Sequence, residues 1–178
     1  NVISATGGTI TESGDDKIHT FTGPGTFTVS SVATCAANNT VSYLVVAGGG
    51  GGASGYQGGG SGAGGFREVK SPVTPYTASP LDGYPSAPNR ITVTATAFPI
   101  TVGGGGTAPP SYPTRGCGSN GSNSIFSTVT STGGGKGGNE PAPNVPNRNG
   151  ANGGSGGGGD GRDGSECAGK RAARTEGV

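Results

Sequence analysis

The side chains that could carry acid–base or nucleophilic chemistry are few in this sequence and are not grouped. His19 is its only histidine and lies in a strand-like stretch, KIHTF, where a histidine is more often a packing or surface residue than a catalytic base. The adjacent Asp15 and Asp16 are explained by a turn, because aspartate side chains bond to nearby backbone there. A Ser-His-Asp constellation would need His19 exposed in a cleft beside a nucleophile. We therefore predict no catalytic residue and a protein that is not an enzyme.

Two glycine-rich stretches match nucleotide-binding patterns, but their context does not fit. Residues 60–65 (GSGAGG) satisfy GxGxxG, yet no βαβ unit surrounds them and no helix follows. The Gly-Lys pair at 135–136 is followed by glycine, where a P-loop needs serine or threonine. Acidic residues within 160–166 follow a glycine run, but a serine breaks the GGxGxD register of a calcium turn. The sequence therefore predicts no cofactor and no bound metal.

Aromatic and arginine side chains occur in irregular, proline-rich inserts at 66–90, 107–123 and 139–149. Loops carried on a rigid scaffold are common places for binding residues, and aromatic and arginine side chains most often anchor an interface. The alternative is that these inserts are only spacers. The candidate binding residues are Phe66, Arg67, Tyr76, Tyr84, Tyr112 and Arg115.

The three cysteines, Cys35, Cys117 and Cys167, are too far apart in sequence for a CxxC metal or redox motif. An odd number leaves at least one of them outside any intramolecular disulfide. Cys117 and Cys167 are the preferred pair, because both lie in glycine-rich sequence that has little apolar core to stabilise it. Sequence alone does not fix the connectivity, so the redox compartment stays open.

The composition excludes several classes of protein. The chain has 178 residues with 41 glycines and 13 prolines, the two weakest helix formers, so a helical bundle or an α/β enzyme is excluded. Eleven basic and ten acidic residues give a net charge of +1, whereas nucleic-acid binding needs a basic face. No apolar run approaches the ~20 residues of a membrane helix. We predict no nucleic-acid partner and no membrane insertion.

Segments rich in threonine and valine predict short β-strands, because β-branched residues favour the pleated conformation. The first two strands are separated by Ser13-Gly14-Asp15-Asp16, which is typical of a hairpin turn. The most apolar segment, TVSYLVVA, is expected to be a central strand. The predicted strands are 9–12, 17–22, 26–32, 40–47, 91–97, 99–102 and 124–132.

Each late strand runs into a block of glycines, and within the blocks the glycines recur every third residue. Three residues per turn is the period of the polyproline II helix, which has no internal hydrogen bonds. Glycine at the crowded positions would let such helices pack side by side and bond to one another, as polyglycine II helices do. The alternative is a set of flexible linkers. The glycines in these phases are Gly49, Gly52, Gly55, Gly58, Gly150, Gly153, Gly156 and Gly159.

The chain is therefore predicted to be all-β and irregular, with antiparallel β-hairpins leading into packed polyglycine II helices and almost no α-helix. We divide it into a strand entry region at 1–47, a glycine-rich region at 48–164 that carries the inserts, and a charged tail at 165–178. The start at Asn1, without an initiator methionine or signal-peptide pattern, suggests a fragment or a processed product.

Four pieces in this order resemble the glycine-rich domain of bacteriophage tail fibres and tail-tip adhesins: ATGGTITESGDDKIHTFTGPGTFTV, VSYLVVAGGGGG, PITVGGGG and SIFSTVTSTGGGKGG. The resemblance covers about residues 5–60 and 91–138, and more loosely 150–164. It implies a β-hairpin entry, a sandwich of polyglycine II helices and receptor binding through variable loops between the glycine blocks. The long 66–90 insert and the charged, cysteine-containing end depart from this pattern.

The resemblance implies a structural and adhesive virion protein in a phage tail fibre or distal appendage, at the virion tail or an extracellular surface. Its partners would be a bacterial surface receptor, either protein or glycan, and other virion subunits in a homo-oligomer. One alternative is a self-assembling subunit of an extracellular filament, paired through its N-terminal strands. Another is an ice-binding polyglycine II protein, which the long inserts oppose.

Overall fold

A computed structural model describes residues 2–55, 58–71, 89–110, 116–139 and 149–159. Its regular elements there are short strands and one 3₁₀ turn, with no α-helix in these ranges, which confirms the predicted all-β class. The strands are β1 Ser4–Thr6, β2 Thr9–Ser13, β3 Asp16–Thr20, β4 Gly25–Ser31, β5 Thr40–Val41, β6 Tyr43–Val46, β7 Phe66–Val69, β8 Ile91–Thr92, β9 Ala97–Thr101, β10 Ser124–Phe126 and β11 Val129–Ser131. The 3₁₀ turn is Ala36–Asn39.

The chain divides into two compact units. The first, called the strand unit, comprises Asn1–Val45, Arg67–Val102 and Ile125–Thr130. The second, called the glycine unit, comprises Val46–Phe66, Gly103–Ser124 and Ser131–Val178. Both units are therefore built from stretches that are distant in sequence.

The main sheet of the strand unit has the order β1-β4-β9-β10-β11. Strand β4 pairs antiparallel with both β1 and β9, and Phe27 lies opposite Phe98. Strand β10 pairs antiparallel with β9, with Phe126 opposite Ile100. Two-stranded sheets form from β2 with β3, β5 with β8, and β6 with β7.

A small hydrophobic core explains why these strands come together. Phe27 and Val29 of β4 are buried, while Thr28 between them and the flanking Thr26 and Ser30 are exposed, as the predicted alternation requires. The ring of Phe126 packs edge-on against Phe27 and Phe98 at centroid distances of 6.1 and 6.2 Å. The buried members of this core are Phe27, Val29, Val45, Ile91, Val93 and Phe126.

The β2–β3 hairpin follows the predicted turn, with Gly14 in the left-handed region at φ 59°. His19 of β3 is half-buried in this hairpin. Its Nδ1 lies 2.8 Å from the Gly7 carbonyl oxygen, and its ring packs edge-on against Phe27 at 5.0 Å. The histidine thus contacts the core of the strand unit.

Several strand boundaries differ from the sequence prediction, each for a local reason. The predicted strand 40–47 is split into β5 and β6 at Ser42, whose Oγ accepts a hydrogen bond from the Ser71 N–H. The predicted strand 124–132 is a hairpin, because Ser127 has φ 53° and turns the chain between β10 and β11. The predicted strand 91–97 is limited to β8 because the Thr96 N–H bonds to the Thr94 carbonyl.

The glycine unit consists of extended segments that bond to one another instead of to themselves. We number them one (47–54), two (58–65), three (103–108), four (116–123), five (132–139) and six (153–159). Segment one donates to segment two at every third residue, from Ala47, Gly50 and Ala53. It donates to segment four in the next phase, from Gly48, Gly51 and Ser54. A three-residue period with bonds only between segments is the predicted polyglycine II arrangement.

Segment five is the centre of this bundle. Its five glycines are buried, and its backbone N–H groups donate to segments one, four and six. Gly134 and Gly137 donate to segment one, and Gly135 and Gly138 donate to segment six. Its carbonyls accept from segments two, four and six. Backbone hydrogen bonds therefore hold the segments of the glycine unit together, as apolar side chains hold together the strands of the strand unit.

Candidate functional site

The direction of each segment follows from the hydrogen-bond pairs. Segment one runs parallel to segment five, since Gly134 and Gly137 donate to Gly48 and Gly51. Segment six is also parallel to segment five, whereas segment two is antiparallel to it. Segment four is antiparallel to segments one and three. One end of the bundle therefore holds the last residues of segments one, three, five and six and the first residues of segments two and four.

We call this end the insert-bearing end, because the chain leaves and re-enters the bundle there. Residues 109–115 link segment three to segment four, and residues 140–148 follow segment five. Both lie within predicted inserts, 107–123 and 139–149. The third predicted insert, 66–90, instead begins in β7 and ends just before β8. The structure thus brings the described bases of two inserts to one end of the glycine unit.

Asn139, the last residue of segment five, is the buried side chain at this end, with 3% of its surface exposed. Its Nδ2 donates hydrogen bonds to the Ser54 carbonyl and, at 3.3 Å, to the Gly116 carbonyl. Ser54 and Gly116 also bond to each other through both backbone pairs. The Cys117 Sγ lies 3.8 Å from the Asn139 carbonyl oxygen. One asparagine therefore joins the ends of segments one, four and five.

Two of the candidate binding residues lie in the described part of the chain. Phe66 and Arg67 are half-buried neighbours at the start of β7. The other four, Tyr76, Tyr84, Tyr112 and Arg115, lie outside the described residues. The assignment of these side chains to binding therefore stays a prediction.

The crowded glycines of segment one fall in the two phases that were not singled out by sequence. A Cβ built on Gly48 would lie 2.0 Å from the Gly104 carbonyl oxygen, and one on Gly51 would lie 2.1 Å from that of Thr107. At Gly49 the nearest atom is 3.8 Å away, and at Gly52 nothing lies within 4 Å. A Cβ on Gly50 would lie 2.2 Å from the Gly135 carbonyl oxygen, so neighbouring backbones approach most closely at the residues on either side of Gly49 and not at the predicted positions.

The remaining predicted glycines differ among themselves. Gly55 has φ 136°. A Cβ built on Gly58 would lie 2.9 Å from the Ala53 carbonyl oxygen. Gly150 and Gly153 are crowded, at 2.0 Å from the Gly157 oxygen and 2.2 Å from the Gly135 nitrogen. Gly156 and Gly159 are half-exposed members of segment six.

Segment four contributes side chains that sequence reasoning missed. Asn120 and Asn123 accept hydrogen bonds through Oδ1 from the Lys136 and Gly133 N–H groups of segment five. Ser119 accepts through Oγ from the Thr107 N–H, and Ser124, just beyond the segment, from that of Gly103. These side-chain oxygens accept hydrogen bonds from backbone N–H groups, as carbonyl oxygens do elsewhere in the bundle. The sequence signal for these side chains is the stretch SNGSNS at 119–124. It contains no apolar residue and lies between glycine-rich stretches.

The described residues hold no group of three or more His, Cys, Asp or Glu side chains close enough to bind a metal ion. No helix in the described ranges is long and apolar enough to span a membrane. The predicted Cys117–Cys167 disulfide cannot be placed, because Cys167 lies outside the described residues.

Comparison with known proteins gives one match. A family model described as a glycine-rich domain matches residues 21–177, nearly the whole chain. No curated protein and no solved structure matches. The match covers strands β4 to β11 and the hydrogen-bonded glycine segments described above. The chain therefore belongs to the glycine-rich domain family.

Proposed function

We propose that this chain is a structural and adhesive virion protein, a domain of a phage tail fibre or other distal appendage that binds a bacterial surface receptor. The observation that carries the proposal is the common origin of two inserts at one end of a hydrogen-bonded bundle. Binding is non-covalent and resides in the inserts, whose sequences contain aromatic and arginine residues. The resemblance of the four sequence pieces to tail-fibre domains supports the same assignment.

The bundle suits such a role because it fixes the insert bases without depending on a large apolar core. Each segment is held at three-residue intervals by neighbours on two or more sides. Loops whose ends are fixed in advance lose less conformational freedom on binding, so more of the interaction free energy appears as affinity. Insert sequences can also change while the bundle remains the same.

Adsorption of the labelled protein to bacterial cells tests the proposal. The full chain, carrying a fluorophore, is incubated with a panel of Gram-negative and Gram-positive species and measured by flow cytometry. Residues 111–115 and 140–148 are then replaced by Gly-Ser sequences of equal length. We expect the full chain to bind some species saturably and the double replacement to abolish that binding while its circular dichroism spectrum is unchanged.

A matched replacement of residues 72–88 shows whether the insert of the strand unit also contributes. The assignment of binding to the inserts would be refuted if a protein with all three stretches replaced still folded and adsorbed like the original. Full-length protein that adsorbs to no species in the panel counts against the adhesin proposal itself.

A filament subunit is the second candidate, supported by strand edges in the strand unit. The β2–β3 hairpin forms a two-stranded sheet, and Ile10 and Ile18 on it are 44% and 46% exposed. Such edges can pair with a strand from another chain. Negative-stain electron microscopy distinguishes the candidates, since an open-ended polymer favours the filament and a discrete particle favours the adhesin.

A further inference from the structure

We infer that Asn139 is a positioning residue, whose side-chain amide holds together the chain ends from which the inserts at 109–115 and 140–148 leave the bundle. The inference rests on the proposed function, since it matters for binding only if these inserts bind. Its structural content, however, can be tested without any receptor.

The position of Asn139 differs from that of every other residue in segment five. The N–H groups of the segment bond to neighbouring backbone or to asparagine side chains along its length. At its last residue the side chain takes over, reaching the carbonyls of Ser54 and Gly116. Residues 140–148 follow Asn139 directly, and residues 111–115 directly precede Gly116. The amide thus links the bases of both inserts to the end of segment one.

The chemistry of the contact requires a donor. Each carbonyl partner of Nδ2 already accepts one hydrogen bond from the Ser54–Gly116 backbone pair, and the NH₂ group of the amide donates the second. Burial makes this requirement stringent, because a carboxylate in place of the amide would face two carbonyl oxygens away from water, with no proton to share with either. Aspartate has almost the same shape as asparagine but donates nothing when ionised. Asn139→Asp therefore removes two hydrogen bonds while leaving the volume unchanged.

The backbone around the amide is shaped to admit it. Gly55, which follows Ser54, has φ 136°, a conformation that side-chain-bearing residues rarely adopt. A Cβ on Gly55 would lie 3.1 Å from Oδ1 and 3.3 Å from Nδ2 of Asn139. The turn after segment one thus leaves room for the asparagine side chain, which independently marks this contact as part of the fold.

Asn123, which is exposed, provides a control for the chemical change from amide to carboxylate. Its Oδ1 accepts a hydrogen bond from the Gly133 N–H at 2.8 Å, and a carboxylate accepts equally well. Asn123→Asp therefore keeps its bond, whereas Asn139→Asp loses both of its own. The two substitutions make the same chemical change in the same bundle with opposite consequences for hydrogen bonding.

Amide hydrogen exchange followed by NMR is the decisive measurement. In the wild-type chain we expect the Ser54 and Gly116 amides to exchange as slowly as that of Gly50, which lies inside the bundle. In Asn139→Asp we expect these two amides to exchange about tenfold or more faster, with Gly50 unchanged, and no such change in Asn123→Asp. The inference would be overturned if the wild-type Ser54 and Gly116 amides exchanged as fast as those of the exposed β2–β3 turn. This outcome does not depend on whether the variant folds.

Adsorption to the cell panel connects the positioning role to binding. We expect Asn139→Asp to adsorb at least tenfold more weakly at a temperature where it is fully folded, and Asn123→Asp to adsorb like the wild type. If Asn139→Asp showed faster amide exchange at Ser54 and Gly116 but adsorbed as strongly as the wild type, the link between this positioning role and binding would be overturned. If the wild type adsorbs to no cell, the proposed function fails, and the exchange data alone decide the role of Asn139.

Discussion

At the scale of single residues, the glycine unit shows that its glycines are not equivalent. In segment one, a methyl group is excluded at Gly48 and Gly51 by neighbouring carbonyls and is accommodated at Gly52. The three-residue period was visible in the sequence, but its phase was not. In a run of five consecutive glycines every phase is occupied, so only the neighbours of each residue determine which one is crowded.

Adjacent alanine substitutions should therefore have opposite effects. Gly51→Ala should destabilise the protein by about 1–3 kcal/mol, because the methyl group would force the Thr107 carbonyl away. Gly52→Ala should be neutral or stabilise it by about 0.4–1 kcal/mol, since alanine restricts the unfolded chain and meets no atom within 4 Å. Thermal denaturation of the two variants provides the measurement. Equal losses at both positions would contradict the described packing.

At the scale of elements, alternation predicted strand β4, and turn chemistry predicted the β2–β3 hairpin. Strand β4 and the β2–β3 hairpin lie within a residue or two of their predicted bounds. Strand β7 was placed in an insert because FREV has no alternating pattern, and β1 has only three residues. The hydrogen bond from the Asn139 side chain to the Ser54 carbonyl could not be predicted, since the two residues are 85 positions apart and no local pattern relates them.

The aromatic centre of the strand unit should dominate its stability. Phe126 is 8% exposed and contacts the rings of Phe27, Tyr43 and Phe98. Phe126→Ala should cost about 3–5 kcal/mol, because a large cavity would remain among these rings. Leu44→Ala is the control, since Leu44 is 59% exposed and its loss should change stability by less than about 0.5 kcal/mol. Denaturant titrations of the two variants should differ clearly in midpoint, and coinciding midpoints would count against this core.

At the scale of the whole molecule, two kinds of interior are joined in one chain. The strand unit buries aromatic and aliphatic side chains, whereas the glycine unit buries mainly peptide groups. Exposure of apolar surface raises the heat capacity on unfolding, and exposure of polar surface lowers it. The composition pointed to this difference, because 41 glycines cannot contribute side chains to a core.

Unfolding should therefore have an unusually small heat-capacity change. Globular proteins average about 12–15 cal/mol/K per residue, and we expect a value clearly below that range for this chain. Differential scanning calorimetry at several pH values measures the quantity directly. A value at or above the average would mean that the protein buries much more apolar surface than described, and that the glycine segments do not form a peptide-lined interior.

The central position of segment five has a further consequence, which concerns digestion. Endoproteases select their cleavage points by inserting a side chain into a specificity pocket, and glycine offers none. From Thr132 to Asn139 the only long side chain is that of Lys136, the residue type that trypsin-like enzymes require. The peptide groups flanking it are already engaged, with its N–H donating to Asn120 and its carbonyl accepting from Ala151. The glycines of segment five thus offer a protease few recognition side chains, and the bonds that assemble the bundle engage the backbone at Lys136, where a trypsin-like enzyme would cut.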